Sequence, residues 1–131
     1  MIEQMLVRAR SRITRYAPGE IDDDVLLVDL RSNDERARDG IIPGSVHVPR
    51  SVLEWRCDQE SGYANSVLAG RRLVLVCAHG ESSSLAAASL VELGIDDVGD
   101  LEGGFEAWRE AGLPVHAAPD PEGTPGMGGR Q

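Results

Sequence analysis

The stretch RRLVLVCAHGESSSLAAASLVELG, residues 71–94, decides the fold. Leu73 to Val76 are consecutive apolar residues, two of them β-branched, bounded by arginines on one side and Gly80 on the other, which reads as a short buried strand. From Ser83 to Leu93 most faces are apolar, serines stand ready as N-caps and Gly94 stands at the C′ stop, so a buried helix follows. A strand that passes into a helix within a few residues turns backbone N–H groups into the loop between them and aims the positive end of the helix dipole the same way. Such a loop is an anion cradle. Cys77 at its entrance gains support for its thiolate without any basic side chain, so a reactive sulfur is the expectation. The competing reading is that Cys77 merely ends a core strand, since free cysteine is commonly buried. A loop with glycine and serines leading straight into a helix start favours chemistry.

The flanking segments supply a scaffold. VLLVDL, residues 25–30, is a near-continuous apolar run of the kind a parallel sheet requires, with Asp29 and Arg31 at the end where ligands gather in open α/β sheets. Residues 2–10 are partly amphipathic, and Ile13–Tyr16 form a short first strand before the Pro18-Gly19 turn. Ser32–Gly40 hold a short helix. GIIPGSVHVP then turns at Pro43-Gly44 into a strand over Val46–Val48, within which His47 is read as structural or surface. In SVLEWRCD, Trp55 is expected to anchor the core. Cys57 beside it is either inert or a second thiol able to resolve an oxidised or persulfidated Cys77. Ile95–Leu101 form the fifth strand, and Gly103-Gly104 turn into a helix over Phe105–Ala111, stopped by Gly112 and Pro114. Alternating strands and helices predict an α/β domain with a mostly parallel sheet covered on both faces.

Composition narrows the function. A chain of 131 residues, 41% hydrophobic, has material for one domain with a core and not for two. The expected layout is a basic helix over 1–12, the domain over 13–116 and a disordered Pro- and Gly-rich tail over 117–131. The formal charge is −9 and all 13 basic residues are arginine, which excludes lysine chemistry and argues against nucleic acid as a partner. Residues 1–17 carry four arginines against Glu3 and read as a solvated helix face, with an interaction arm as the alternative. The run Asp22-Asp23-Asp24 reads as a solvated turn, and no metal site is expected. No apolar stretch approaches the roughly 20 residues of a membrane span, and the first residues lack the pattern of a cleaved leader, so the expected compartment is the cytoplasm. Two cysteines make no disulfide framework.

Four segments in this order resemble the single-domain rhodanese family from about Ile13 to Val115. VLLVDLR is similar to its first signature. GIIPGSVHVP is similar to its Pro-Gly segment, with Ile41 where histidine is common. The stretch quoted above resembles its strand, active-site loop and helix, and LEGGFEAWREAGLPV its closing Gly-Gly and Ala-Trp signature. The resemblance implies a five-stranded parallel sheet and a Cys77 that accepts a sulfane sulfur to become a persulfide, then passes it to a thiophilic acceptor. The cradle would be the backbone of Ala78, His79, Gly80, Glu81, Ser82 and Ser83, with no metal and no cofactor. Asp29, Arg31, Arg50 and Arg56 are accessory candidates, and His79 either donates to the substrate or faces solvent.

One departure from the family pattern bears on substrate. The common loop carries an arginine five residues after the cysteine, and here that position is Ser82 with Glu81 beside it. Both changes disfavour a small dianion, so thiosulfate should be a poor donor and a phosphatase built on a cysteine–arginine loop is disfavoured. The expected function is sulfur transfer from a thiol persulfide or a sulfur-carrying protein, by a monomer or homodimer. The alternatives are a binding module with an idle Cys77, and a redox sensor pairing Cys77 with Cys57.

Overall fold

The computed structural model describes residues 1–120, so the expectation of a disordered tail falls, for residues 121–131, outside the described residues. The helices are α1 (Ile2–Arg10), α2 (Asn33–Asp39), α3 (Leu53–Cys57), α4 (Ser82–Leu93) and α5 (Gly104–Glu110). The strands are β1 (Thr14–Tyr16), β2 (Val25–Asp29), β3 (Val46–His47), β4 (Arg72–Val76) and β5 (Val98–Leu101). They form one sheet in the order β1-β5-β4-β2-β3. Every neighbouring pair is parallel.

The alternation of side chains along the strands builds a core on each face of the sheet. Leu73 and Leu75 of β4, with Leu26 and Val28 of β2, meet Leu53 of α3 and Ala86, Ala87 and Leu90 of α4. On the opposite face Val74, Val76, Leu27 and Leu101 meet Phe105 and Trp108 of α5. Leu53, Leu73, Leu75, Leu90 and Leu101 are fully buried, each contributing about 1.5–3 kcal/mol by removal from water. α4 stops where Gly94 takes the left-handed conformation at φ 108°, which costs glycine little.

Backbone contacts draw the carboxyl ends of the strands together. The Leu30 N–H donates to Val76 O at 2.9 Å and the Val48 N–H to Asp29 O at 2.9 Å, so the chain leaving β2 lies beside Cys77. Residues 41 and 116 exchange two backbone hydrogen bonds, 2.8 and 2.9 Å, which binds the chain after α5 to the segment before β3. No helix among the described residues is long and apolar enough to cross a membrane.

Two expectations are corrected. Trp55 does not anchor the core: it is 48% exposed and meets Tyr63 edge-on at 6.1 Å. On α3, Leu53, Arg56 and Cys57 share the buried face at helical spacing, which places residue 55 on the other side; the buried tryptophan is Trp108, whose indole N–H donates to Pro114 O at 2.8 Å. Nor is the basic start wholly a solvated face: Arg8 and Arg12 are exposed, but Arg10 and Arg15 make part-buried hydrogen bonds, while α1 buries Leu6 and Ala9 on its apolar side and packs along α4. Asp22–Asp24 are exposed, with the Asp24 N–H donating to the Asp22 carboxylate.

Candidate active site

Cys77 follows the last residue of β4 and is 6% exposed. Its Sγ accepts the N–H of Gly80 at 3.1 Å and the N–H of Ser83 at 3.3 Å, so the chain curls around the sulfur before α4 begins. Burial opposes ionisation of Cys77. It is outweighed by the Ser82 hydroxyl, Ser83 and the Gly80 N–H, so the thiol titrates below its ordinary value. Ser83 has one hydroxyl proton, and its Oγ donates to Asp100 at 2.7 Å; its backbone N–H is therefore what reaches the sulfur, leaving Ser82 as the hydroxyl that supports the thiolate. The N–H groups of His79, Glu81 and Ser82 have no acceptor among the described residues.

The curl is held from two sides. Gly80 sits at φ +84°, and a Cβ there would come within 2.6 Å of the Gly103 nitrogen. At Gly104 a Cβ would meet the Cys77 carbonyl oxygen and, at 2.7 Å, the Gly80 nitrogen. The Gly103-Gly104 turn can thus lie against the loop only without side chains. It delivers the first N–H groups of α5 to the loop, Phe105 N–H to Cys77 O at 2.8 Å and Glu106 N–H to Ala78 O at 3.1 Å.

On the other side Asp100, fully buried in β5, organises a polar cluster. Its Oδ2 accepts Ser83 Oγ at 2.7 Å and Ser84 Oγ at 2.8 Å. Arg15 Nε reaches Oδ1 at 2.9 Å, and Arg15 Nη2 donates to Gly80 O at 2.7 Å. Arg10, the last residue of α1, donates through Nε to Ser84 Oγ and through Nη2 to Gly80 O, both at 3.0 Å. The Gly80 carbonyl is thereby gripped by two guanidinium groups.

Asp29 and Arg31 form a buried two-point pair, 3.0 and 2.9 Å, with Arg31 also donating to Gly40 O at 2.8 Å and lying 3.8 Å from the Phe105 ring centre. Arg36 adds a contact to Asp29 at 3.3 Å. Arg31 and Phe105 line a groove of about 220 Å³ with Ala78 and His79 of the loop. His47 Nε2 contacts Arg31 O at 2.7 Å, and burial holds its ring below the ordinary histidine range. The other two accessory candidates are engaged elsewhere. Arg50 pairs with Glu54 at 2.9 Å, and Glu54 accepts Ser89 Oγ at 2.6 Å. Arg56 is buried in α3 and donates to Tyr63 O at 3.0 Å.

Cys57 does not face Cys77. It borders a groove with Arg71 and Leu73, at the start of β4, whereas Cys77 follows the strand's end, about 13 Å further along at the rise of a β-strand. A disulfide needs Cα atoms within about 7 Å. Burial, aided by the Glu54 charge, pushes the Cys57 thiol up to about 12, the opposite of a reactive partner. Among the described residues no cluster of three or more His, Cys, Asp or Glu side chains is arranged to hold a metal.

Sequence reasoning missed Arg10, Arg15, Ser84 and Asp100. One signal was available: Asp100 interrupts the apolar strand VGDL, and a buried carboxylate requires a cation or donors. Its cation is the residue opposite it in the β1–β5 register, Arg15.

Comparison with known proteins bears on this arrangement. A family model described as "Rhodanese-like domain" matches residues 16–111. A protein named "Sulfurtransferase" from Allochromatium vinosum is 36% identical over 101 residues, 77% of this chain and 84% of that protein. A "Thiosulfate sulfurtransferase GlpE" from Pseudoalteromonas translucida is 36% identical over 95 residues, 68% of this chain and 77% of that protein. Among solved structures, a Rhodopseudomonas palustris protein of unknown function, described as a possible tyrosine phosphatase, superposes with a TM-score of 0.83 at 37% identity, covering 88% of this chain and 94% of its own.

Proposed function

The chain belongs to the rhodanese-like domain family, and on that premise we propose that it is a sulfurtransferase working through a persulfide on Cys77, with a thiol persulfide or a sulfur-carrying protein as donor in preference to thiosulfate. The observation that carries this reading is the Cys77 sulfur itself, which accepts two backbone N–H groups inside a loop that lowers its thiol pKa.

The Cys77 thiolate attacks the outer sulfur of the donor R–S–SH. A new bond forms from Sγ to that sulfur, the donor's S–S bond breaks, and R–S⁻ departs with the bonding pair. The Cys77 persulfide then loses its proton, and its terminal sulfur is stabilised by N–H groups of the same curl. An acceptor thiolate attacks the terminal sulfur and Cys77 thiolate leaves, which returns the protein to its starting state.

Donor preference rests on the mouth of the loop. Ser82 and the exposed Glu81 stand there, and Arg10 and Arg15 bind a carbonyl of the loop from behind. Arg31, Arg38 and Arg109 border the groove beside Ala78 and His79, and each is paired with a carboxylate, Asp29, Asp39 and Glu106 respectively. No side chain of the loop offers the two-pronged guanidinium grip that thiosulfate or a phosphate dianion would use. The same gap weighs against a phosphatase.

The test is intact-protein mass after incubation with a low-molecular-weight persulfide or with thiosulfate. One added sulfur on Cys77, removable by cyanide, absent in Cys77→Ser and gained faster from the persulfide, is expected. No adduct from either donor would overturn sulfur transfer; faster loading from thiosulfate would overturn the preference.

A further inference from the structure

Arg10 and Arg15 both precede residue 16, where the family match begins, and both end on one carbonyl of the active-site loop. We propose that Arg10 and Arg15 are positioning residues that clamp the Gly80–Glu81 peptide from behind, aiming the Glu81 N–H into the cradle at the terminal sulfur of the persulfide.

In a planar trans peptide the C=O of Gly80 and the N–H of Glu81 point in opposite directions. The carbonyl points toward Arg10 Nη2 at 3.0 Å, Arg15 Nη2 at 2.7 Å and Ser84 Oγ at 3.3 Å. The N–H is therefore directed away from α1 and β1, and it has no acceptor among the described residues. A Gly80 at positive φ has little intrinsic preference for one orientation of this peptide, so the orientation must be imposed from outside. Two cations on the carbonyl impose it and also polarise the peptide, which strengthens its N–H as a donor.

The clamp also accounts for how the loop works without its own arginine. A guanidinium at the mouth would bind the donor's charge directly. Two guanidinium groups behind the loop stabilise charge on the sulfur while leaving the mouth free of an anion grip. Arg15 is tied to buried Asp100, but Arg10 comes from the end of α1, and among the described residues its side-chain hydrogen bonds go to Ser84 and Gly80. Arg10 is thus the residue through which the clamp can be tested without removing the buried ion pair.

This role deepens the sulfurtransferase reading, yet it is measurable on the resting thiol. The experiment compares wild type, Arg10→Met, Arg10→Lys and Arg12→Met. Arg12 also carries a positive charge in the N-terminal segment, and its side chain has no ion-pair partner among the described residues. The readouts are the pH midpoint of Cys77 alkylation by iodoacetamide, located by mass spectrometry, the rate of sulfur uptake from a persulfide, and the melting temperature. Loss of the clamp in Arg10→Met should raise the midpoint by about half a pH unit or more and slow uptake about tenfold. Arg10→Lys should recover part of both, and Arg12→Met should change neither.

The proposal is overturned if Arg10→Met changes only the melting temperature, or if Arg12→Met shifts the midpoint equally. Should Arg10→Met fail to fold, Arg10→Lys decides: a midpoint raised above those of wild type and Arg12→Met supports the clamp, because a single-point cation replaces the guanidinium only in part, and an unchanged midpoint overturns it. Wild-type protein that takes up no sulfur would remove the sulfurtransferase reading, while the alkylation midpoint would still judge the clamp.

Discussion

Arg15 and Asp100 stand opposite each other across the β1–β5 ladder, joined by contacts of 2.9 and 3.3 Å. The carboxylate is fully buried and holds both Ser83 and Ser84 at the start of α4. One ion pair therefore connects the edge strand of the sheet to the helix that closes the cysteine loop.

Removing the cation alone should be costly. Arg15→Met leaves a buried carboxylate with hydroxyl donors and no opposite charge, and breaking such a pair costs about 3–5 kcal/mol. Arg15→Met/Asp100→Asn should be less destabilised than Arg15→Met, because the uncompensated charge is gone. Urea unfolding of the three proteins checks the order, and equal stability of single and double variants contradicts it.

Ser82 should tune the sulfur. Its hydroxyl helps hold the Cys77 thiol below its ordinary value, so the thiolate is present above that lowered pKa and reactivity climbs as pH rises through it. Ser82→Ala should move the alkylation curve to higher pH and slow the reaction at neutral pH about tenfold, the weight of a hydrogen bond to a charged group. An unmoved curve would mean that the backbone N–H groups alone support the thiolate.

Ser82→Arg should change the donor. A guanidinium five residues after Cys77 would restore an anion grip at the mouth, and KM for thiosulfate should fall roughly tenfold relative to the persulfide donor. Steady-state kinetics with both donors measures it. A parallel drop for the two donors would point to general activation of the sulfur instead.

Two glycines at similar φ should respond differently to alanine. At Gly112, φ +75°, an added Cβ meets nothing within 4 Å, and the cost should be the conformational one of about 1–2 kcal/mol. At Gly104, φ +63°, the Cβ meets the Cys77 carbonyl and the Gly80 nitrogen. Gly104→Ala should lose more stability and also slow Cys77 alkylation, because the loop must open to admit a methyl group.

Alkaline pH should expose Cys57. Its folded pKa of about 12 lies above the unfolded value, so between about 9 and 12 the unfolded chain has released a proton that the folded chain retains. Stability should then fall with rising pH, by at most about 1.4 kcal/mol per unit. Cys57→Ala should flatten that slope in denaturant titrations, and an unchanged slope would assign the effect to other groups.

The strands were readable because a parallel sheet buries both faces: VLLVDL and LVLV are apolar runs with no other use. The cysteine loop was readable because strand, glycine, serines and helix adjoin in sequence, and local backbone geometry then turns N–H groups onto the sulfur. Trp55 was misread since a five-residue helix gives too few turns to show which face is buried. The resolving role weighed for Cys57 likewise depended on a distance between elements that only the packing sets.

By itself, then, the sequence determined the α/β order, the place of Cys77 at the end of a central strand and the Gly-Gly turn into the last helix, because each is specified by neighbouring residues. Only the tertiary structure decided which charges serve the sulfur. Arg10 and Arg15 lie more than sixty residues from Gly80 along the chain, and they meet it because β1 pairs with β5 and α1 packs on α4. A buried carboxylate demands a cation, but which arginine answers is set by strand order and helix docking, and those depend on contacts summed over the whole core.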